Sequence, residues 1–153
     1  VEFGQMNVLY NISDFCYSLS YAEGFGLSTL ESMMTGTPII APMTGGLTRQ
    51  VVDHRDGSHN GVALPIECKT LVGSQLVPYI FEDYVTNETA ASGIRELYEK
   101  TKDKKFKKKL SDKVLKYADE EFAYQNTIDS WHNSMLKCLE DFKTRKNWNV
   151  TTL

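Results

Sequence analysis

The sequence predicts an α/β fold, a parallel sheet with helices packed on it, and three observations carry that expectation. Residues 21–46, YAEGFGLSTLESMMTGTPIIAPMTGG, read as a strand end, a glycine turn, a helix start, a second strand and a second glycine turn, which is one and a half βα units. Within them, residues 37–41 (TPIIA) are a short continuous apolar run between Gly36 and Pro42, the pattern of a strand buried on both faces. Beyond residue 86 the apolar residues recur at helical spacing, which predicts a helical C-terminal segment.

Taken in order, residues 1–4 are expected to close a strand and residues 6–13 to form a short helix ending at Asp14. Residues 14–20 (DFCYSLS), rich in aromatics and bounded by turn formers, predict a strand of mixed burial. A helix over 28–35 would turn Leu30, Met33 and Met34 inward and stop at Gly36. Gly45 and Gly46 open a short helical segment through Val52. The loop 53–60, DHRDGSHN, holds two His and two Asp without regular ligand spacing, and polar residues around Gly57 need no metal to form a turn. Residues 61–65 predict the last strand. The stretch 66–84 is too apolar for disorder and reads as a surface insert on the sheet's edge, with a lid or an acceptor contact as its functional alternative. Thr86 or Asn87 caps a helix to about Lys100. Residues 103–122 form the next helix, with Phe106, Leu110, Val114, Leu115 and Tyr117 inward and the lysine-rich 102–109 as its wet face. A last helix over 124–145 places Ile128, Trp131, Met135, Leu136, Leu139 and Phe142 on one stripe.

The totals exclude several classes. A chain of 153 residues with 41% hydrophobic content is one domain's worth, able to bury a core. A net charge of −3 gives no reason to expect nucleic acid as a partner. Cys16, Cys68 and Cys138 are widely spaced and odd in number, which argues against a disulfide framework or a zinc site and fits a reducing, cytoplasmic setting. No apolar run of about 18 residues is present. The N-x-S/T triplets at Asn11, Asn87 and Asn149 read as chance matches.

The chemistry concentrates in the first glycine turn. Gly24 and Gly26 flank Phe25, so the backbone can turn sharply and let a ligand come close. Leu27 and Ser28 lead into a helix whose first turn carries free N–H groups, so residues 24–28 are a candidate cradle for an anionic group such as a diphosphate. Glu23 before the helix and Glu31 near its start bracket the cradle at the carboxyl ends of the strands, where open α/β sheets bind ligands. Carboxylates accept hydrogen bonds from hydroxyls and repel phosphates, so both suit sugar or ribose hydroxyls beside a diphosphate. The competing reading is structural: Ser28 followed by Glu31 is also a capping box.

Glu23, seven residues, Glu31, then Met33, the run Gly36-Thr37-Pro38-Ile39-Ile40-Ala41 and the pair Gly45-Gly46 together resemble the second half of the nucleotide-binding domain of GT-B glycosyltransferases. The closest likeness is to the retaining family 4 type with its two-glutamate E-x7-E signature, and it is clear from about Leu9 to Asp53. It implies a Rossmann-like parallel sheet, the second half of a GT-B C-terminal domain. It also implies transfer of a hexose-like sugar from a nucleotide diphosphate donor to an acceptor hydroxyl, with retention and with no metal or other cofactor. By position, Glu23 is then catalytic and contacts the donor sugar, while Glu31 holds the ribose. Gly24, Phe25, Gly26, Leu27 and Ser28 line the sugar and phosphates, and Gly45 and Gly46 form a possible donor-side loop. Relatives usually carry Glu where this chain has Arg49, which puts the role of that helix in question.

The resemblance further implies that the 153 residues are a fragment, inactive alone, lacking an N-terminal acceptor domain. Its parts are a sheet over 1–65, an insert over 66–84 and a helical part over 86–147. The acceptor, and any membrane association, stay open. A GT-B nucleotide-sugar binding protein or a sugar-nucleotide epimerase would share the crevice and is the alternative. A nicotinamide oxidoreductase is not supported, because the third glycine position of its turn is Thr29 and Glu31 comes too early. The absence of any D-x-D triplet likewise gives no support to a metal-dependent site.

Overall fold

The computed structural model describes residues 3–144. The chain runs α1 (Phe3–Ile12), β1 (Cys16–Tyr17), α2 (Leu27–Met33), β2 (Ile39–Pro42), α3 (Leu47–Val51), β3 (Gly61–Leu64), β4 (Cys68–Ser74), β5 (Val77–Tyr84), α4 (Asn87–Thr101), α5 (Lys104–Phe122) and α6 (Tyr124–Thr144). The described residues fall into two compact units, one reaching to Asp119 and the other starting at Glu120.

The first unit is built on a three-stranded parallel sheet in the order β1-β2-β3, as the apolar run at 37–41 predicts. All four residues of β2 are buried, and a strand covered on both faces has no use for polar alternation. β3 alternates instead, with Val62 and Leu64 inward. Helix α4 lies against β3, closest at Gly93 beside Val62 and Leu64, and buries Ala90 and Leu97, while α5 buries Leu110, Val114, Tyr117 and Ala118 at the spacing of one helical face. Each fully buried aliphatic side chain here contributes about 1.5–3 kcal/mol. In the second unit, α6 is amphipathic, and its stripe of Ile128, Trp131, Met135, Leu136, Leu139 and Phe142 is exposed. Arg145, at the end of the expected last helix, and Asn149, of the third N-x-S/T triplet, lie outside the described residues.

Several expectations change. Phe3 and Gly4 belong to the first turn of α1 and not to a strand, because nothing between Gly4 and Met6 breaks the helix; Val1 and Glu2 lie outside the described residues. β1 is only two residues long. Its register ends at Tyr17↔Ile40, one further bond runs from Ser18 N to Ile40 O (3.0 Å), and the chain then leaves the sheet for the glycine turn. Met34 and Leu115 face outward at 45% exposure each, so the inward faces of α2 and α5 are narrower than the periodicity implies.

The insert at 66–84 forms its own antiparallel hairpin, β4 with β5, rather than a further strand of the main sheet. Pro78 argues against a central strand but is tolerated in a two-stranded ribbon, where every strand is an edge. The hairpin is rooted next to the glycine turns: Asp83 N donates to Tyr21 O at 2.7 Å, and the rings of Tyr21 and Tyr84 sit 4.4 Å apart. The Thr44 hydroxyl and then the Lys69 ammonium hold the Asp83 carboxyl below its ordinary range.

The 53–60 loop is held by its own side chains. The Arg55 guanidinium donates to both carboxylate oxygens of buried Asp53, through Nε at 2.9 Å and Nη2 at 2.8 Å, and stacks over the Tyr117 ring. Hydrogen bonding from Arg55 outweighs burial and lowers the Asp53 carboxyl to about 2. A depressed carboxyl contributes stability that is present at neutral pH and lost as pH falls through the folded value. Asp53→Asn should therefore melt earlier than the parent protein at pH 7, and the gap should close between about pH 4 and pH 2. Melting curves across that range check it; a gap that stays constant would remove the ion pair from the account.

Candidate functional site

The site is made where the chain leaves the carboxyl ends of β1 and β2. Gly26 caps α2 with φ at 90°, a left-handed conformation that glycine adopts without strain, and its carbonyl accepts the first helical bond from Leu30 N at 3.1 Å. The cap has no side-chain hydrogen bond, and Ser28 is already an exposed residue inside the helix, so the capping box does not form. Glu31 is thereby free of that structural duty. α2 has only seven residues, so its dipole is short, and the N–H groups of the turn itself carry more of the anion-binding capacity.

Those N–H groups face a carboxylate. Glu23 Oε1 accepts from Gly26 N at 3.1 Å and, at longer range, from Phe25 N at 3.4 Å. The second glycine turn packs directly on the first. Gly46 N donates to Glu23 O at 3.1 Å, and a Cβ at Gly46 would stand 2.6 Å from Gly24 O and from Phe25 Cα. Gly45, at φ 46°, lies so close that a Cβ there would overlap the Glu23 carbonyl. The expected donor-side loop and the expected donor loop are thus one backbone-to-backbone unit.

Glu23, Gly24, Phe25, Gly26, Leu27 and Ser28 come together in this turn; Leu27 and Phe25 are exposed, at 69% and 42%. Glu31 sits one turn into α2 and is exposed. The Tyr10 hydroxyl donates to its Oε2 at 3.0 Å, and the two line an open cavity of about 250 Å³ with Met6, Asn7, Met34 and Thr35. Burial first, then the bond to Glu31 and its charge, push the Tyr10 hydroxyl up to about 12. Arg49 is exposed on α3, and its backbone carbonyl accepts from Tyr117 Oη at 2.6 Å.

Behind the turn stands a buried polar group that the periodicity alone does not single out. Gln50 Nε2 donates to Phe25 O at 2.6 Å and to Gly26 O at 3.1 Å, while its Oε1 accepts from the Thr29 hydroxyl. The one available signal is a glutamine on the stripe Leu47-Gln50-Val51, whose three members are all fully buried. Tyr10 leaves no comparable signal.

A cavity of about 350 Å³, lined among others by His59, Gly61, Phe106 and Lys113, lies instead at the amino end of β3. None of its lining residues belongs to either glycine turn. Among the described residues no cluster of His, Cys, Asp and Glu is arranged to hold a metal ion. No helix among the described residues is long and apolar enough to cross a membrane.

A parallel sheet with two glycine turns interlocked at its carboxyl edge defines an α/β domain, and that edge is where open α/β sheets in general take ligands. Residues 2–66, which hold the sheet and both turns, match the family model described as Glycosyl transferases group 1. A D-inositol 3-phosphate glycosyltransferase 2 from Catenulispora acidiphila is 34% identical over 79 residues, 51% of this chain and 18% of that protein. A trehalose synthase from Pyrococcus horikoshii is 38% identical over 53 residues, 35% of this chain and 13% of that protein. The matched segments therefore span less than a fifth of these relatives. The sucrose-phosphate synthase of Thermosynechococcus elongatus shares the fold, with a TM-score of 0.63 at 19% identity over 90% of this chain and 29% of that one. The sequence likeness to Glycosyl transferases group 1 thus falls on the segment that carries both glycine turns, and the fold likeness extends over most of the chain.

Proposed function

We propose that these residues form the donor-binding half of a retaining, family 4-type glycosyltransferase that takes its sugar from a nucleotide diphosphate. The observation that carries the reading is the pair of turn N–H groups, of Phe25 and Gly26, aimed at the Glu23 carboxylate. Backbone donors that already face an anionic oxygen are suited to a diphosphate, which needs no metal if enough N–H groups converge on it. When the diphosphate takes those donors, the Glu23 carboxylate is released and can accept from hydroxyls of the sugar being transferred, which makes Glu23 the catalytic carboxylate of the reading. Gly24, Leu27 and Ser28 offer further backbone to the sugar and phosphates, and Gly45 and Gly46 back the turn. Glu31, oriented by Tyr10, holds the ribose.

The domain reading follows: a sheet over 1–65, an insert over 66–84 and helices over 86–147 as part of a nucleotide-sugar-binding domain, with the acceptor domain supplied by other chain segments and the isolated 153 residues inactive. The length of the curated relatives supports this. The three free thiols suit the cytoplasmic setting that the reading assumes.

Glu31→Gln in the full-length protein tests it. Loss of a charged hydrogen bond to ribose should weaken donor binding by roughly 1–3 kcal/mol, with an unchanged melting temperature because Glu31 caps nothing. Calorimetric titration measures this. Unchanged donor affinity would remove the ribose role.

A further inference from the structure

We infer that Gln50 is a positioning residue for the donor turn, a clasp that holds the Phe25 and Gly26 carbonyls and so fixes the peptide planes that carry the N–H groups of Gly26 and Leu27. The inference rests on the donor reading above and concerns a residue on a different element, α3. Gln50 has no exposed surface. Its amide satisfies itself on the turn: Nε2 spends both protons on the carbonyls of Phe25 and Gly26, and Oε1 accepts from Thr29, itself fully buried. Only this orientation of the amide is consistent, since the flipped one would set an oxygen against two carbonyl oxygens.

Two carbonyls held from behind fix the peptide planes on either side of Gly26, a residue whose φ of 90° would otherwise leave it the freest point in the turn. The clasp is itself held, since Asn60 Nδ2 donates to the Gln50 carbonyl at 2.8 Å and so ties α3 to the start of β3. A leucine or valine would fill the same space without directing the turn. The glutamine on a buried stripe thus has a use that packing does not supply.

Hydrogen exchange in the full-length protein separates a clasp from a core residue. Gln50→Met keeps the volume and removes both donors. Exchange at the amides of Gly26, Leu30 and Gly46, which are bonded within the two turns, should speed up at least tenfold, while the strand amides of Cys16 and Ser18 keep their parent rates. Thr29→Val, a milder change that removes the hydroxyl set against both Gln50 Oε1 and the Gly26 carbonyl, should move the same amides in the same direction by less. Val51→Ala, a neighbouring fully buried residue with no bond to the turn, should raise exchange evenly across turns and strands. If Gln50→Met does not fold, Gln50→Glu, which keeps the shape and loses the amide protons on the two carbonyls, decides in its place.

The same proteins are titrated with uridine diphosphate glucose and guanosine diphosphate mannose. Whichever binds the parent protein should bind Gln50→Met at least tenfold more weakly. Even exchange in both Gln50→Met and Thr29→Val would overturn the clasp whatever the titration gives. Selective exchange with no binding of either probe by the parent would leave the clasp standing and count against the donor reading.

Discussion

Gly45→Ala is expected to lower stability by about 2–5 kcal/mol and to abolish donor binding with it. A β-carbon would overlap the Glu23 carbonyl, and the residue sits at φ 46°, so overpacking of roughly 1–3 kcal/mol adds to a left-handed cost of about 1–2 kcal/mol. Relief requires the two turns to separate, which breaks the bond from Gly46 N to Glu23 O. Gly24→Ala is the contrasting change. A Cβ there meets nothing within 4 Å, so the protein should melt as the parent does, and any loss of donor affinity would report only the space a ligand needs. Thermal melts and donor titrations of the two variants side by side check both halves. A Gly45→Ala protein as stable as the parent would mean that the turns are not locked together.

Glu23→Ala should cut sugar transfer by roughly 10- to 150-fold while free nucleoside diphosphate binds nearly as before. The first figure corresponds to losing a charged hydrogen bond of about 1.5–3 kcal/mol to the reacting sugar. The second follows from the geometry: Glu23 occupies the N–H groups of Phe25 and Gly26, so its removal vacates those donors and takes nothing from the diphosphate. Transfer kinetics set beside nucleoside diphosphate titrations give the split. Equal loss in both would mean that Glu23 serves the nucleotide or the fold of the turn and not the sugar.

The sheet and the two glycine turns were legible because their signals are local. The run at 37–41 is short and bounded by Gly36 and Pro42, which favours the buried strand that forms over Ile39–Pro42, and a glycine pair beside a helix start announces a turn. What stayed hidden depends on contacts between distant residues. Glu31 reads equally well as half of a capping box, and only the cap at Gly26 settles that it is not one. Tyr10 meets Glu31 across 21 positions, and Gln50 meets Phe25 across 25, so no periodicity reveals either pairing. The hairpin at 68–84 was hidden by Pro78 and by a turn, Gln75-Leu76, that lacks the usual Asn-Gly or Asp-Gly pair. Strand length was overread at 14–20 because aromatic content marks a β-favourable segment but does not say where a neighbouring strand stops pairing.

Hydrogen exchange of the full-length protein, with and without a panel of uridine, guanosine and adenosine diphosphate sugars, tests the central claim most directly. The account predicts that at least one of them slows exchange across residues 23–31 and 44–50 together, because the two turns are one unit, and leaves the cavity beside His59 and Lys113 unchanged. Slowing confined to that cavity, or no slowing anywhere across the panel, would contradict it.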